Sequence, residues 1–228
     1  MAAGNDVYNP EEGLENLRRS FTSIYMTLVS IIQGAVLSYL VVVVADNFRG
    51  FDLARWLMAV VDFLMVVAIW QEDVMSAHSI GGVFRYRDSF FAFIIGAAQF
   101  MMIRAIVPDV ATSFWFFFSV LFMLIGVTAY GNQYRSIQTK GPHQDVLNAV
   151  KAQIRLKAIF LFIGAISALA FGLLVLFFHD SRLIVALVAV SLLMQINTLR
   201  QEAGSWNRIF RYSKNDEVTV DNVSQKQK

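Results

Sequence analysis

The chain has 228 residues, of which 57% are apolar and only 16% charged, with a formal net charge of +2 and no cysteine. Soluble domains average about 45–50% apolar and about 25% charged, so a soluble globular fold is excluded, as are a disordered chain, a coiled coil and a collagen-like repeat. The missing cysteine excludes disulfides, thiol catalysis and thiolate-bound metals, and the small net charge offers no field for nucleic acid.

Residues 1–20 form a polar segment in which Asn9-Pro10-Glu11-Glu12 reads as a helix start, with a capping Asn, a proline and acids in the first turn. No small-residue cleavage site follows the first apolar run, so a cleaved signal peptide is not expected. That run, residues 21–45, carries no charge and ends in a turn at 46–50 rich in helix breakers. The second run, 53–70, is interrupted by Asp62 and leads into a polar stretch, 71–88, with Gly81-Gly82 inside it. The third, 89–107, contains Arg104 and stops at Pro108, which lacks the amide hydrogen a continuing helix needs. The fourth, 110–130, holds the aromatic block 114–118, expected to face lipid or the core. In the connector that follows, Pro142 suits a first helical turn. Val146, Leu147, Val150 and Ile154 recur at helical spacing, which predicts an amphipathic lead-in to the fifth run, 158–178. His179-Asp180-Ser181-Arg182 links it tightly to the sixth, 183–199. Residues 200–228 are a polar extension, expected to be disordered from Ser213 onward.

Each run has the length of a bilayer-crossing helix, so the expected fold is an all-α membrane protein with six spans. Six spans put both termini on one side. Fifteen of the nineteen Lys and Arg residues then fall on that side, and only Arg49, Arg55, Arg104 and Arg182 on the other. The excess marks the cytoplasmic face, so both termini are expected in the cytoplasm, with the plasma membrane as location. Trp56, Trp70, Tyr86, Tyr130 and Tyr134 fall near span ends, where amphipathic rings favour the interface.

No HExxH, GxSxG, Walker loop or dinucleotide fingerprint is present, and His78, His143 and His179 fall in three separate connections. Neither an enzyme, a cofactor nor a metal centre is expected. The informative residues are polar ones within spans. Asp62 is the acid deepest in a span, where an uncompensated carboxylate costs about 2.5–3.5 kcal/mol on insertion scales. It is either a cation-attracting or proton-titrating group on a pathway, or a carboxyl bonded between helices. Ser23, Thr27, Ser30, Gly34 and Ser38 fall within one sector of the first helix, flanked by Gln33. Such a stripe can line a pore, because hydroxyls replace part of an ion's hydration shell, or can let helices pack closely. Glu72 and Asp73 could form an acidic ring at a pore mouth, or be helix-end charges paired with Arg85 or Arg87. Gln195, Asn197, Arg200, Gln201 and Glu202 cluster at the end of the last span, for interhelical bonds or a cytoplasmic vestibule.

In order along the chain stand Arg18-Arg19 before the first span, Trp70 closing the second with His78 beyond it, Pro108 between the third and fourth, and a short hairpin at 179–182. This order resembles the six-helix potassium channels of lysosomes and bacteria over most of residues 18–200. The resemblance implies a pore lined by the first helix and a potassium-selective function. The chain departs from that family's Phe-Ser-Asp signature: Phe21-Thr22-Ser23 stands in its place, without the aspartate.

The expected function is an oligomeric, cation-permeable channel, since a subunit this small hardly encloses a pore alone. Its partners would be the bilayer, further copies of itself and a monovalent cation, potassium by the resemblance. A non-conducting anchor or effector is the alternative, docking a protein partner through residues 132–157 or the C-terminal tail. A proton-coupled transporter using Asp62 is the third, although the two halves of the chain do not visibly repeat. No TVGYG-type filter is present.

Overall fold

The computed structural model describes residues 10–79, 86–136, 144–178 and 180–226. These form six helices: α1 (Pro10–Asn47), α2 (Leu53–Ser79), α3 (Tyr86–Ala105), α4 (Ser113–Ser136), α5 (Gln144–Phe178) and α6 (Ser181–Lys226). A single 3-10 turn at Phe48–Gly50 follows α1, and no strand occurs among the described residues. Among the described residues five stretches are long and apolar enough to cross a membrane: Ser20–Gly50, Leu53–Val74, Ser113–Arg135, Val150–Phe178 and Ser181–Gln201. Ser89–Ala105 is a shorter apolar helix. The protein is all-helical, with the apolar helices of a multi-pass membrane protein.

Local chemistry sets most helix limits. α1 begins at Pro10, as its proline and acidic residues require. The Asp52 side chain caps α2, its Oδ1 accepting the Arg55 amide at 2.9 Å, and Asp180 caps α6 by accepting the Arg182 amide at 2.8 Å. α3 stops at Ala105 instead of 107, because a residue before proline is pushed out of the helical region. Ile106 and Val107 leave the helix but stay buried, and α4 begins only at Ser113. The lead-in to the fifth span is one continuous helix with it, since α5 starts at Gln144. The tail departs most from expectation: α6 remains helical from Ser213 to Lys226. Beyond Gly204 that stretch holds neither glycine nor proline, so nothing in it breaks a helix already nucleated by the apolar span.

Three long-range contacts tie α2 to its neighbours, and two of them set it antiparallel to α1 and to α3. The Tyr25 hydroxyl near the start of apolar α1 reaches Asp73 late in α2, Lys157 in α5 reaches Glu72, and Arg55 at the start of α2 reaches the Pro108 carbonyl. α1 rests in the seam between α2 and α3, which also touch, and a circuit of neighbours closes through α6, α5 and α4. The main apolar core lies toward the Pro108 end, where Val36, Met58, Met102, Ile106, Phe116 and Val188 bring all helices but α5 together, and α5 joins through Val175. Near the opposite end a smaller cluster of Tyr25, Val29 and Ala92 ties α1 to α3.

Small residues set the closest approaches. A methyl group on Gly96 of α3 would come 2.5 Å from Ile32 Cγ2 of α1, and one on Gly172 of α5 would come 2.9 Å from the Phe117 ring of α4. Small residues permit such contact between helices in lipid, where van der Waals packing replaces the hydrophobic effect as the driving force.

Candidate functional site

The polar residues within the spans separate into an inner set and an outer set. α1 shows why. Among its described side chains Tyr25, Val29, Gln33, Val36, Leu40 and Val43 are buried, while Ser23, Thr27, Ser30, Gly34 and Ser38 are all exposed. At about 100° per residue the two stripes lie roughly 145° apart. Gln33 is therefore not part of the small polar stripe it adjoins in sequence. It faces α3 and forms a reciprocal amide pair with Gln99, each Nε2 donating to the other's Oε1 at 3.2 Å. The close approach at Gly96, one turn away on α3, lets two short carboxamides span that gap.

The outer stripe is chemically different. Thr27 Oγ1 donates to the Ser23 carbonyl at 2.9 Å and Ser38 Oγ to the Gly34 carbonyl at 2.8 Å, each one turn back on the same helix. Ser30 Oγ lies 3.5 Å from the Trp70 indole nitrogen of α2. The space that a Cβ at Gly34 would occupy is open.

Asp62 is fully buried, at 0% exposure. Its Oδ1 accepts the Trp115 indole N–H at 3.1 Å, across the bundle from α2 to α4. Its Oδ2 is buried with no hydrogen-bonding partner. The Trp115 ring is itself buried and stands edge-on to Phe116, whose ring stands edge-on to Phe171 of α5. The aromatic block thus divides: Trp115 and Phe116 fill the core, while Phe114 is exposed. A carboxyl this deep stays in place through a donor from another helix, because the amides of its own helix are already engaged. Asp62 lies inside the bundle and the α1 stripe outside it, so a single subunit does not bring them onto one surface.

Glu72 and Asp73 also turn toward partners in the same subunit. Lys157 Nζ of α5 lies 2.6 Å from Glu72 Oε1, with side-chain exposures of 13% and 17%, and stands 5.8 Å from the centre of the Tyr130 ring. The Tyr25 hydroxyl donates to Asp73 Oδ1 at 3.0 Å. The partner of Glu72 is Lys157, far away in sequence; Arg85 lies outside the described residues and the side chain of Arg87 is not described. Together α2 contributes three acids, each bonded to a different helix.

Gln99, Trp115, Lys157 and Tyr25 escaped the sequence reading as partners. The signal for Gln99 was available, since it is an amide inside an apolar span like Gln33; the others needed the packing order. His78 falls in the last turn of α2 instead of a connection, and His143 and His179 lie outside the described residues. Among the described residues no three metal-ligating side chains converge. Of the cluster on α6, Gln195 is half-buried, and Asn197 and Gln201 are exposed. Of the connector at 132–157, residues 137–143 lie outside the described residues and the remainder belongs to α4 and α5. Compared with known proteins, the chain matches no family model, no curated protein and no solved structure.

Proposed function

We propose that the chain is the subunit of an oligomeric, cation-permeable channel whose pore is lined by the outward stripe of α1. The observation that carries this is the exposure of Ser23, Thr27, Ser30, Gly34 and Ser38 on an apolar helix whose opposite face is packed. In an isolated subunit this face turns outward, its hydroxyls bonded to carbonyls of α1 at Thr27 and Ser38 and approached by the Trp70 indole at Ser30. Around the axis of a symmetric oligomer they meet water, and their oxygens can replace part of a cation's hydration shell. Potassium is the cation implied by the resemblance to the six-helix channels. Asp62, Glu72 and Asp73 act here by holding the subunit in shape, and no step of the function is catalytic.

In this arrangement all six apolar helices cross the membrane. The third is spanned by Ser89–Ala105, about 25 Å long against a hydrocarbon core of about 30 Å, a mismatch that local thinning of the bilayer absorbs. The Lys and Arg excess supports a reading with both termini on the cytoplasmic side.

The test is potassium flux into liposomes containing the purified protein, with sodium and proton controls and subunit number measured in parallel. Wild-type flux is expected above that of empty liposomes. Gly34→Leu and Ser38→Leu are expected to abolish it with the oligomer intact, and Asp62→Asn to leave it near wild type. A strictly monomeric protein, or full flux in the leucine variants, would overturn the proposal.

A proton-coupled carrier draws its own support from the buried, unpartnered Oδ2 of Asp62. Flux that follows an imposed proton gradient and disappears in Asp62→Asn would replace the channel with that carrier.

A further inference from the structure

A groove of about 680 Å3 runs along the outer surface of the bundle where α3 meets α1 and α4. Ile94, Ala97 and Met101 of α3, Leu121 and Ile125 of α4 and Tyr39 of α1 form apolar walls. Two small side chains, Ala97 and Ala98, are among its lining. Ile94, Ala97, Met101 and Arg104 follow at helical spacing, so the groove tracks one face of α3. These ten residue steps cover about 15 Å, half of a hydrocarbon core about 30 Å thick. The groove is therefore about as long as one leaflet is thick.

Its end nearest Pro108 is marked by Arg104, the charged residue of the lining, in the last turn of α3. Arg104 donates to both carboxylate oxygens of Asp109, at 3.5 and 3.2 Å, and the two side chains are 49% and 67% exposed. Asp109 engages two of the five guanidinium N–H donors, which leaves donors for a further oxygen ligand. The mouth thus presents a positive and a negative group side by side, with no net charge.

We propose that this groove holds an acyl chain of a zwitterionic phospholipid with a primary ammonium headgroup. The lipid phosphate accepts hydrogen bonds from Arg104, and the ammonium lies beside Asp109. A headgroup of net negative charge would gain the same bond to Arg104 but meet repulsion from Asp109. The apolar walls, the one-leaflet length and the paired charges at the mouth each match one part of such a lipid.

The experiment uses the full chain, reconstituted with equal phosphatidylethanolamine and phosphatidylglycerol, extracted in mild detergent and weighed by native mass spectrometry. One retained phosphatidylethanolamine is expected. Arg104→Gln should lower its retention about tenfold, the loss of one charge-assisted hydrogen bond, and Asp109→Asn should shift the preference toward phosphatidylglycerol. Ala97→Trp fills the groove and should remove the retained lipid. Should that variant fail to fold, Ala97→Cys, the sole thiol in the chain, can be capped with a bulky thiol reagent after solubilisation, with the same loss expected. Equal retention of the two lipids by the wild type, or unchanged retention after the groove is filled, would overturn the proposal. So would a disulfide between two Ala97→Cys chains in the membrane, which would seat a second copy there.

Discussion

Gln33 and Ser38 stand five residues apart on α1 and are bonded in opposite ways. Gln33 is buried and bonded to Gln99 on α3; Ser38 is exposed and bonded to the carbonyl of Gly34 on its own helix. The same division separates Asp62, held by Trp115 of α4, from Thr27, held by the Ser23 carbonyl. The cause lies in what a helix can offer its own side chains. Each helical carbonyl keeps a spare lone pair, so a hydroxyl can bond one turn back and needs no other helix. A carboxylate needs donors, and those of the helix interior are already engaged; a carboxamide needs a donor and an acceptor together. Large polar groups in these spans therefore join helices, while small hydroxyls remain free to face lipid, water or another copy of the chain.

That division can be broken most forcefully at the Trp115 contact. Trp115→Ala removes a fully packed ring and the N–H donor to Asp62. It is expected to cost about 3 kcal/mol, the low end for an aromatic truncation, because lipid is as apolar as the core the ring leaves. Unfolding in detergent measures it, and Trp115→Ala combined with Asp62→Asn should recover part of the loss. A loss no larger than that of a surface substitution would mean that the cross-bundle contact does not hold the fold.

A smaller effect is expected between α1 and α3. Gln33→Leu or Gln99→Leu leaves the other amide buried without its partner and should cost about 1–2 kcal/mol. The double variant should cost less than the sum, and additive losses would show that the two amides are not coupled. The smallest effect is on the outer stripe. Ser38→Ala removes a bond that the hydroxyl makes only to its own helix, and its stability should stay within about 0.5 kcal/mol of wild type. A large loss there would show that the stripe is packed against something, and would sharpen the division into one between contacts within and between subunits.

Particular residues show how much of this was legible in the sequence. Pro10, Pro108 and the short link at 179–182 announced helix limits, because local backbone chemistry acts on nearest neighbours. The apolar runs announced the helices themselves, and the missing breakers beyond Gly204 carried a helical tail that composition alone had suggested would be disordered. The α1 stripe was visible as a pattern, and Asp62 as an anomaly. That Gln33 belongs to the opposite side from Ser38 needed the packed face to be known, since a helical wheel orders residues without saying which direction is inward.

By itself, then, the sequence determined an all-helical, strongly apolar chain, the approximate extents of six apolar runs within longer helices, and the polar residues inside them that require an explanation. These follow from length, hydropathy and local backbone preference, which depend on residues a few positions apart. Only the tertiary structure decided that Asp62 meets Trp115, that Glu72 meets Lys157 and that Gln33 meets Gln99. Those partners are separated by 53, 85 and 66 positions, and which helix faces which is set by the packing of all six together.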